Sequence, residues 1–224
     1  MHKWQRYTCG IASALCFGVP DFAAATGGSY FVDDATVTPA GHCQVESWVR
    51  WLPQGSFDAT SVPACSNDVL EFSATLVGRA GPKSSHSEGL GLKHVVGDLE
   101  RDGAAWGLAA NALLQNGKIA SANVYAPWSI ALTSDQRWVV DINAGFQRTE
   151  TPDWHALIGA AVEYELAPGW HVIGEALRNG ARVRTIQAGL RRTLTKDIDL
   201  DIVVGTTHDD GTEQWLTFGL NVGW

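Results

Sequence analysis

Apolar and polar side chains alternate along this chain, in one segment after another, from about residue 42 onward. In the last segment, every second residue from Leu216 to Trp224 is apolar, and the residues between them are small or polar. A period of two indicates a β-strand whose two faces meet different surroundings. A soluble β-sandwich and a membrane-spanning β-barrel both contain such strands, so this segment alone leaves both folds open.

The number of alternating segments favours the barrel. Turn residues separate eleven clear segments: His42–Leu52, Asp68–Arg79, Glu88–Gly97, Ala104–Gln115, Lys118–Leu132, Arg137–Gln147, Trp154–Leu166, Trp170–Arg178, Arg182–Leu194, Asp197–Thr207 and Trp215–Trp224. Bacterial single-chain barrels have an even number of strands, and the long gap after Leu52 contains one further candidate, Phe57–Val62. We therefore predict an all-β fold, a transmembrane antiparallel β-barrel of 12 strands whose last strand runs down to the periplasm.

The N-terminal region predicts export. Lys3 and Arg6 precede a short apolar run, and Ala23 to Ala25 supply a cleavage site, so we expect a signal peptide over residues 1–25. The apolar run is too short to cross a bilayer. Residues 26–41 form a polar segment that stays in the periplasm or enters the barrel as a plug, and residues 42–224 form the outer-membrane barrel.

Charge and composition narrow the function classes. Removal of the signal peptide changes the formal net charge from −8 to −9, which argues against nucleic acid as a partner. Ten Trp, 24 Gly and a mean hydropathy of −0.05 are unusual for a soluble core but ordinary for a barrel between lipid and a wet lumen. Tryptophans near strand ends predict aromatic girdles at Trp51, Trp106, Trp128, Trp138, Trp154, Trp170 and Trp224.

The two cysteines of the mature chain are predicted to form a disulfide. Cys43 begins the first upward strand, and Cys65 falls in the periplasmic turn below Phe57–Val62. The two residues then lie side by side on neighbouring antiparallel strands, in an oxidising compartment. No other Cys or His lies at ligand spacing, so we predict neither a metal nor a cofactor.

Charged residues identify the inner face, because a charge at the bilayer midplane costs roughly 2–4 kcal/mol. The predicted lumen-lining residues are Glu46, Arg50, Glu71, Arg79, Lys93, Arg137, Asp141, Glu163, Glu165, Glu175, Arg191, Asp197, Asp199 and Asp201. They are compatible with an open narrow pore and with a network of opposed charges that fills the lumen. The row Asp197, Asp199 and Asp201 either attracts cations or pairs with Arg191 and its neighbours, and we favour pairing.

The start of the barrel resembles a known family. Asp33-Asp34, Pro39-Ala40-Gly41, Gln44-Val45-Glu46 and Pro63-Ala64-Cys65 are similar to the opening of outer-membrane proteins of the MetA-pathway of phenol degradation family. The resemblance is strongest over residues 32–79. It implies a twelve-stranded barrel and uptake of small compounds, aromatic ones among them.

The predicted function is passive or facilitated diffusion of small solutes, including aromatic or hydrophobic compounds, through the outer membrane of a Gram-negative bacterium. The expected partners are outer-membrane lipids and small solutes. One alternative is a structural or gated barrel with a charge-filled lumen. The other is a lipid-modifying enzyme, but His94 and His155 have no obvious nucleophile beside them, so we predict no catalytic residue and no enzyme.

Overall fold

The computed structural model describes residues 28–67, 70–82, 84–149, 153–180, 183–209 and 211–224. The predicted signal peptide, residues 1–25, lies outside the described residues. Asp68 and Arg182, the first residues of two predicted strands, lie outside them as well. No helix in the described ranges is long and apolar enough to cross a membrane.

Twelve antiparallel strands form a closed barrel, which confirms the predicted fold class. The strands are β1 Cys43–Trp51, β2 Phe57–Ser66, β3 Glu71–Ala80, β4 Ser85–Asp98, β5 Ala104–Gln115, β6 Lys118–Ala131, β7 Trp138–Arg148, β8 His155–Ala167, β9 Trp170–Asn179, β10 Val183–Thr195, β11 Ile198–His208 and β12 Thr212–Gly223. Each strand pairs with its sequence neighbours, and β1 pairs with β12 to close the sheet. The strand inferred from parity is β2, which is longer than predicted and contains Cys65.

The outward register carries apolar side chains that remain exposed, such as Leu90 at 70% and Phe146 at 60% exposure. A soluble protein would bury such a continuous apolar belt, whereas a bilayer covers it. We call the end of the barrel that carries Cys43 and Trp224 the periplasmic end. The outward tryptophans at that end are Trp106, Trp128, Trp138, Trp170 and Trp224, and those at the opposite end are Trp51 and Trp154.

The periplasmic connection between β4 and β5 is a one-turn helix, α1 (Leu99–Asp102). The carboxylate of Asp98 accepts the Arg101 amide as an N-cap, and Gly103 ends the turn with a left-handed backbone at φ 71°. Buried Leu99 packs against Ala105 and against Ala35 of the N-terminal segment. The turn therefore ties the barrel rim to the chain that enters the lumen.

The predicted disulfide is confirmed. Cys43 and Cys65 are directly opposite in the β1–β2 register, and their sulfur atoms are bonded. Both cysteines lie in the outward register at the periplasmic end of the barrel. The bond closes a hairpin with a sequence separation of 22 residues, and it stands beside the β1–β12 pair that closes the sheet.

The N-terminal segment folds inside the barrel, and we call residues 28–38 the plug. Going backward from Pro39, the chain enters from the periplasmic end at Thr38, turns around at Phe31 and Val32, and descends again to Gly28. Ser29, Val32 and Ala35 are at most 1% exposed. Both ends of the plug thus point to the periplasm, and its tip lies deeper in the lumen.

Candidate functional site: the plugged lumen

Most of the predicted lumen-lining residues face inward, but two groups differ in depth. Deeply buried members include Glu71, Asp141, Glu175, Arg191 and Asp201, each at most 8% exposed. Arg79 lies at the outer rim, where it forms a salt bridge with Asp58 at 2.6 Å.

Arg137 does not reach the lumen. Its guanidinium lies over the ring of outward-facing Tyr164 and donates to the backbone oxygen of Glu165 at 2.8 Å. The reason is local: β7 begins one residue later, at Trp138, so the alternation that would turn residue 137 inward has not yet started.

The aspartate row is divided among three environments. Asp201 forms a bidentate ion pair with Arg191, directly opposite on β10, at 2.8 and 3.0 Å. Asp199 accepts a hydrogen bond from Thr193 at 2.6 Å, and Asp197 lies in the turn beside Lys196. No group of three or more His, Cys, Asp or Glu side chains in the described residues is arranged as a set of metal ligands.

The buried Arg191–Asp201 pair also holds one arm of the plug. The Ser29 hydroxyl donates to Asp201 Oδ2 at 2.8 Å, and the Arg191 guanidinium lies 5.3 Å from the centre of the Tyr30 ring. Burial, together with the negative charge of Asp201, raises the pKa of Tyr30, so its hydroxyl stays neutral. Gln187 donates to the Ser29 carbonyl at 3.1 Å, which completes this arm.

The tip of the plug is held by one carboxylate. Glu175 accepts both the Phe31 amide, at 2.7 Å, and the Val32 amide, at 3.0 Å. The Phe31 ring meets Trp215 edge to face at 5.9 Å, and the guanidinium of Arg50 lies 4.6 Å from the Phe31 ring centre. Because two backbone amides donate to this one buried carboxyl group, Glu175 is a main anchor of the tip.

Asp33 and Asp34 meet the opposite wall through Lys93. The Lys93 ammonium lies 2.9 Å from Asp33 Oδ1 and 3.2 Å from Asp34 Oδ1. The Tyr125 hydroxyl donates to the second Asp33 oxygen at 2.8 Å. Asn143 binds the Asp33 backbone at both its N–H and its C=O. This segment is therefore held by the ion pairs with Lys93 and by the two hydrogen bonds between the Asn143 side-chain amide and the Asp33 backbone.

The returning arm is held at two further points. The Ala35 amide donates to the Ser129 hydroxyl, which in turn donates to Asp141. Thr38 donates both its amide and its hydroxyl to Glu71, at 2.8 and 2.6 Å. Within the described residues, the plug is joined to the wall by non-covalent contacts alone.

Glycines in the wall leave space for the plug. A Cβ atom on Gly159 would stand 3.0 Å from a Val32 methyl, and one on Gly219 would stand 3.1 Å from the Ser29 hydroxyl. A Cβ on Gly189 would meet the Tyr30 hydroxyl at 2.7 Å. Real Cβ contacts are rarely so short. The absence of a Cβ atom at these three positions therefore leaves room in the wall for the plug.

The other side of the lumen is not filled. Between the plug and strands β1 to β5 lies a cavity of about 190 Å³, which we call the inner cavity, with Glu46, Ala64, Ser73, Ala109 and Asn111 in its wall. A second space of about 440 Å³, the vestibule, opens at the periplasmic end and is lined by the plug, β1, β4, α1, the β10–β11 turn and β12. Thr36, Gln44 and Glu46 line both spaces.

Several functional side chains were not predicted from the sequence. Ser129, Asn143 and Gln187 each bind the plug backbone, although they carry no charge. A signal was present: each is a polar residue in the inward register of its strand, and Gly159, Gly189 and Gly219 also lie in the inward register. The predicted lumen residues follow from charge alone, and charge does not identify inward-facing amides, hydroxyls and glycines.

The comparisons with known proteins assign a family. The family described as uncharacterised conserved protein UCP029691 matches residues 14–224. The chain belongs to this family. A search of curated proteins finds no match. The resemblance to the MetA-pathway of phenol degradation family is not tested by these results and stays a prediction.

Solved structures share the fold of this UCP029691 member. The KdgM porin in complex with disordered oligogalacturonate has a TM-score of 0.66 at 8% identity, covering 80% of this chain and 98% of that chain. The COG4313 outer membrane channel from Pseudomonas putida F1 has a TM-score of 0.58 at 10% identity, covering 85% and 98%. This fold, together with the exposed apolar belt and outward tryptophans, indicates a location in the outer membrane of a Gram-negative bacterium.

Proposed function

We propose that this protein is an outer-membrane channel for small solutes whose lumen is narrowed by its own N-terminal segment and opens fully when that segment moves. The observation that carries the proposal is the way the plug is held. Wall side chains such as Glu175, Asn143 and Glu71 bind its backbone through hydrogen bonds that water can replace. A segment held in this way can leave and return without breaking a covalent bond.

Two further observations support a channel. The lumen keeps two cavities beside the plug, and polar or charged side chains line much of their surface. Two structures with this fold are named a porin and an outer membrane channel, which is in keeping with solute passage. Small aromatic compounds are the substrate class that the sequence resemblance suggests, and we propose them as the first solutes to test.

A static barrel is the second candidate function, and one observation favours it. The Arg191–Asp201 pair is completely buried, and it is packed against Ser29 and Tyr30. A lumen that serves only as a rigid scaffold would contain such a pair and would never release the plug. The two functions differ in one measurable property, the ion current that depends on plug movement.

Deletion of residues 27–38 tests the proposal in planar lipid bilayers. We expect the deletion to raise single-channel conductance several-fold, because it removes the segment that fills one side of the lumen. A heat-dependent mobility shift on gels confirms that the deleted barrel is folded. Unchanged conductance in a folded deletion variant would contradict the plug.

A reversible lock separates gating from static filling. A Cβ on Gly219 lies 3.2 Å from the Ser29 Cβ, so Ser29→Cys with Gly219→Cys places two thiols within bonding reach. The oxidised double variant should lose the large conductance steps that accompany plug movement, and reduction should restore them. The wild-type protein under the same reductant controls for the Cys43–Cys65 bond. Equal opening frequency in the oxidised and reduced states would support the static barrel.

A further inference from the structure

The vestibule and the inner cavity are adjacent spaces along one side of the plug, and we call the two together the passage. Both spaces are bounded by Thr36 of the plug and by Gln44 and Glu46 of β1. The inner cavity continues from there along the wall of β2 to β5, as far as Asn111 and the first side chain of β6 that lines it, Tyr125. Glu46 therefore lies at the boundary between the vestibule and the inner cavity.

Two buried polar side chains at this junction have no hydrogen-bond partner among the described residues. Asn221 faces Glu46 across the β1–β12 pair, is 8% exposed, and carries one such atom, its side-chain oxygen. The other is the buried Thr36 hydroxyl. None of the described residues forms a hydrogen bond or ion pair with the Glu46 carboxylate. Because buried polar atoms in proteins usually have a partner and these two line the vestibule, we expect water or an ion beside them.

The charges along the passage have one dominant sign. Glu46 on β1, Asn221 on β12 and Asp199 on β11 lie in one row across adjacent strands. The vestibule is also lined by acidic Asp98, Glu100, Asp197 and Asp199, whereas Lys196 is the one lysine or arginine among its described lining residues. In the inner cavity, Lys93 is already engaged by Asp33 and Asp34. A confined space with this charge concentrates cations and repels anions.

We propose that small cations, and not anions, pass the plug along strands β1 to β5, and that Glu46 is the specificity-determining residue of this passage. This inference rests on the proposed channel function. It assigns transit and not tight binding, because the described residues contain no group of three or more His, Cys, Asp or Glu arranged as metal ligands. A carboxylate with an amide oxygen on the next strand attracts a hydrated cation and allows it to leave again.

The test is the reversal potential of the full-length protein in planar bilayers under a potassium chloride gradient. Wild type should select potassium over chloride. At pH 9, where the Glu46 carboxylate carries its charge, Glu46→Gln should lower the permeability ratio about threefold or more, since one unit charge acts on an ion at short range in a partly dehydrated lumen. Glu46→Lys should favour chloride. Because Cys43 and Cys65 are bonded to each other, Glu46→Cys offers a single reactive thiol among the described residues, and a negatively charged thiol reagent should restore selectivity.

Glu163→Gln is the matched control. Glu163 is also an inward-facing glutamate in the periplasmic half of its strand, but it lies on the side packed by the plug and is paired with His171 at 2.8 Å. Its substitution should leave the permeability ratio near the wild-type value. If Glu46→Gln leaves the ratio unchanged, or Glu163→Gln lowers it equally, the assignment of Glu46 is overturned while the channel stands. If neither wild type nor any folded variant carries current, the channel and the passage both fail.

Discussion

The two sides of the lumen are built from the same alternating strands, but they are filled in opposite ways. On β6 to β12, large or charged side chains such as Ile173, Gln187 and Arg191 pack against the plug and are at most 2% exposed. On β1 to β5, small inward residues such as Ala64, Ser73 and Ala109 leave the inner cavity open. We call these the packed side and the cavity side.

The difference shows how a barrel of this size handles its interior. Barrels of eight strands are filled by their own side chains, whereas barrels of sixteen strands hold a channel. With twelve strands the wall alone does not fill the lumen, so a second element enters it. The plug is placed against one side, and solvent-sized space remains at the other. Stability therefore depends mostly on the packed side, and passage on the cavity side.

The largest expected effect is a loss of stability when the buried ion pair on the packed side is broken. Asp201→Asn leaves the Arg191 guanidinium buried without its counter-charge, and we expect the free energy of unfolding to fall by about 3–5 kcal/mol. Glu46→Gln on the cavity side removes a carboxylate that has no partner among the described residues, and should change stability little. Urea unfolding in lipid vesicles, followed by tryptophan fluorescence, measures both. Equal losses would show that the two sides do not differ.

A steric change on the packed side should displace the plug without altering charge. Gly159→Val places methyl groups against Val32, which is 0% exposed and has no room to move, so overpacking should cost about 1–3 kcal/mol. We expect higher conductance in bilayers, as for the deletion. Gly174→Val on the neighbouring strand is the control, because Gly174 faces outward and has nothing within 4 Å of an added Cβ. A similar increase in both variants would contradict plug displacement.

The smallest expected effect on stability comes from filling the inner cavity. Ala109→Trp adds a ring to a space of about 190 Å³, so folding should be affected by roughly 1 kcal/mol or less while conductance falls. Ala161→Trp provides the comparison, since Ala161 is equally buried at 2% but lies on the packed side. It should destabilise the barrel or expel the plug. Conductance that is unaffected by Ala109→Trp would place the passage elsewhere.

Sequence reasoning predicted the strands well because their signal is local. Each strand has one face toward lipid and one toward the lumen, so successive residues alternate between apolar and polar. The observed strand ends differ from the predicted ones by a few positions. The strand assignment also predicted the disulfide, because antiparallel neighbouring strands place Cys43 and Cys65 at the same end of the barrel. Strand β2 was the hardest to detect, because Pro63 and several small polar residues weaken its alternation.

The pairing of the lumen charges was predictable only in part. Arg191 and Asp201 lie on consecutive strands, so the hairpin register was enough to bring them together. Lys93 with Asp33, or Glu175 with the Phe31 amide, joins residues separated by 60 and 144 positions. No local pattern relates such residues, because the path of the plug depends on the shape of the closed lumen.

By itself, the sequence determined the number of strands, which face meets lipid, where the disulfide forms and that residues 26–41 are too polar to span the membrane. These properties follow from alternation and from the cost of charge in a bilayer, and both act residue by residue. Only the tertiary structure decided that residues 28–38 turn back inside the lumen, that the packing is one-sided and that Glu46 lies at the edge of the passage with no partner among the described residues. Those features depend on which side chains meet across the barrel, and closure of the sheet creates those neighbours.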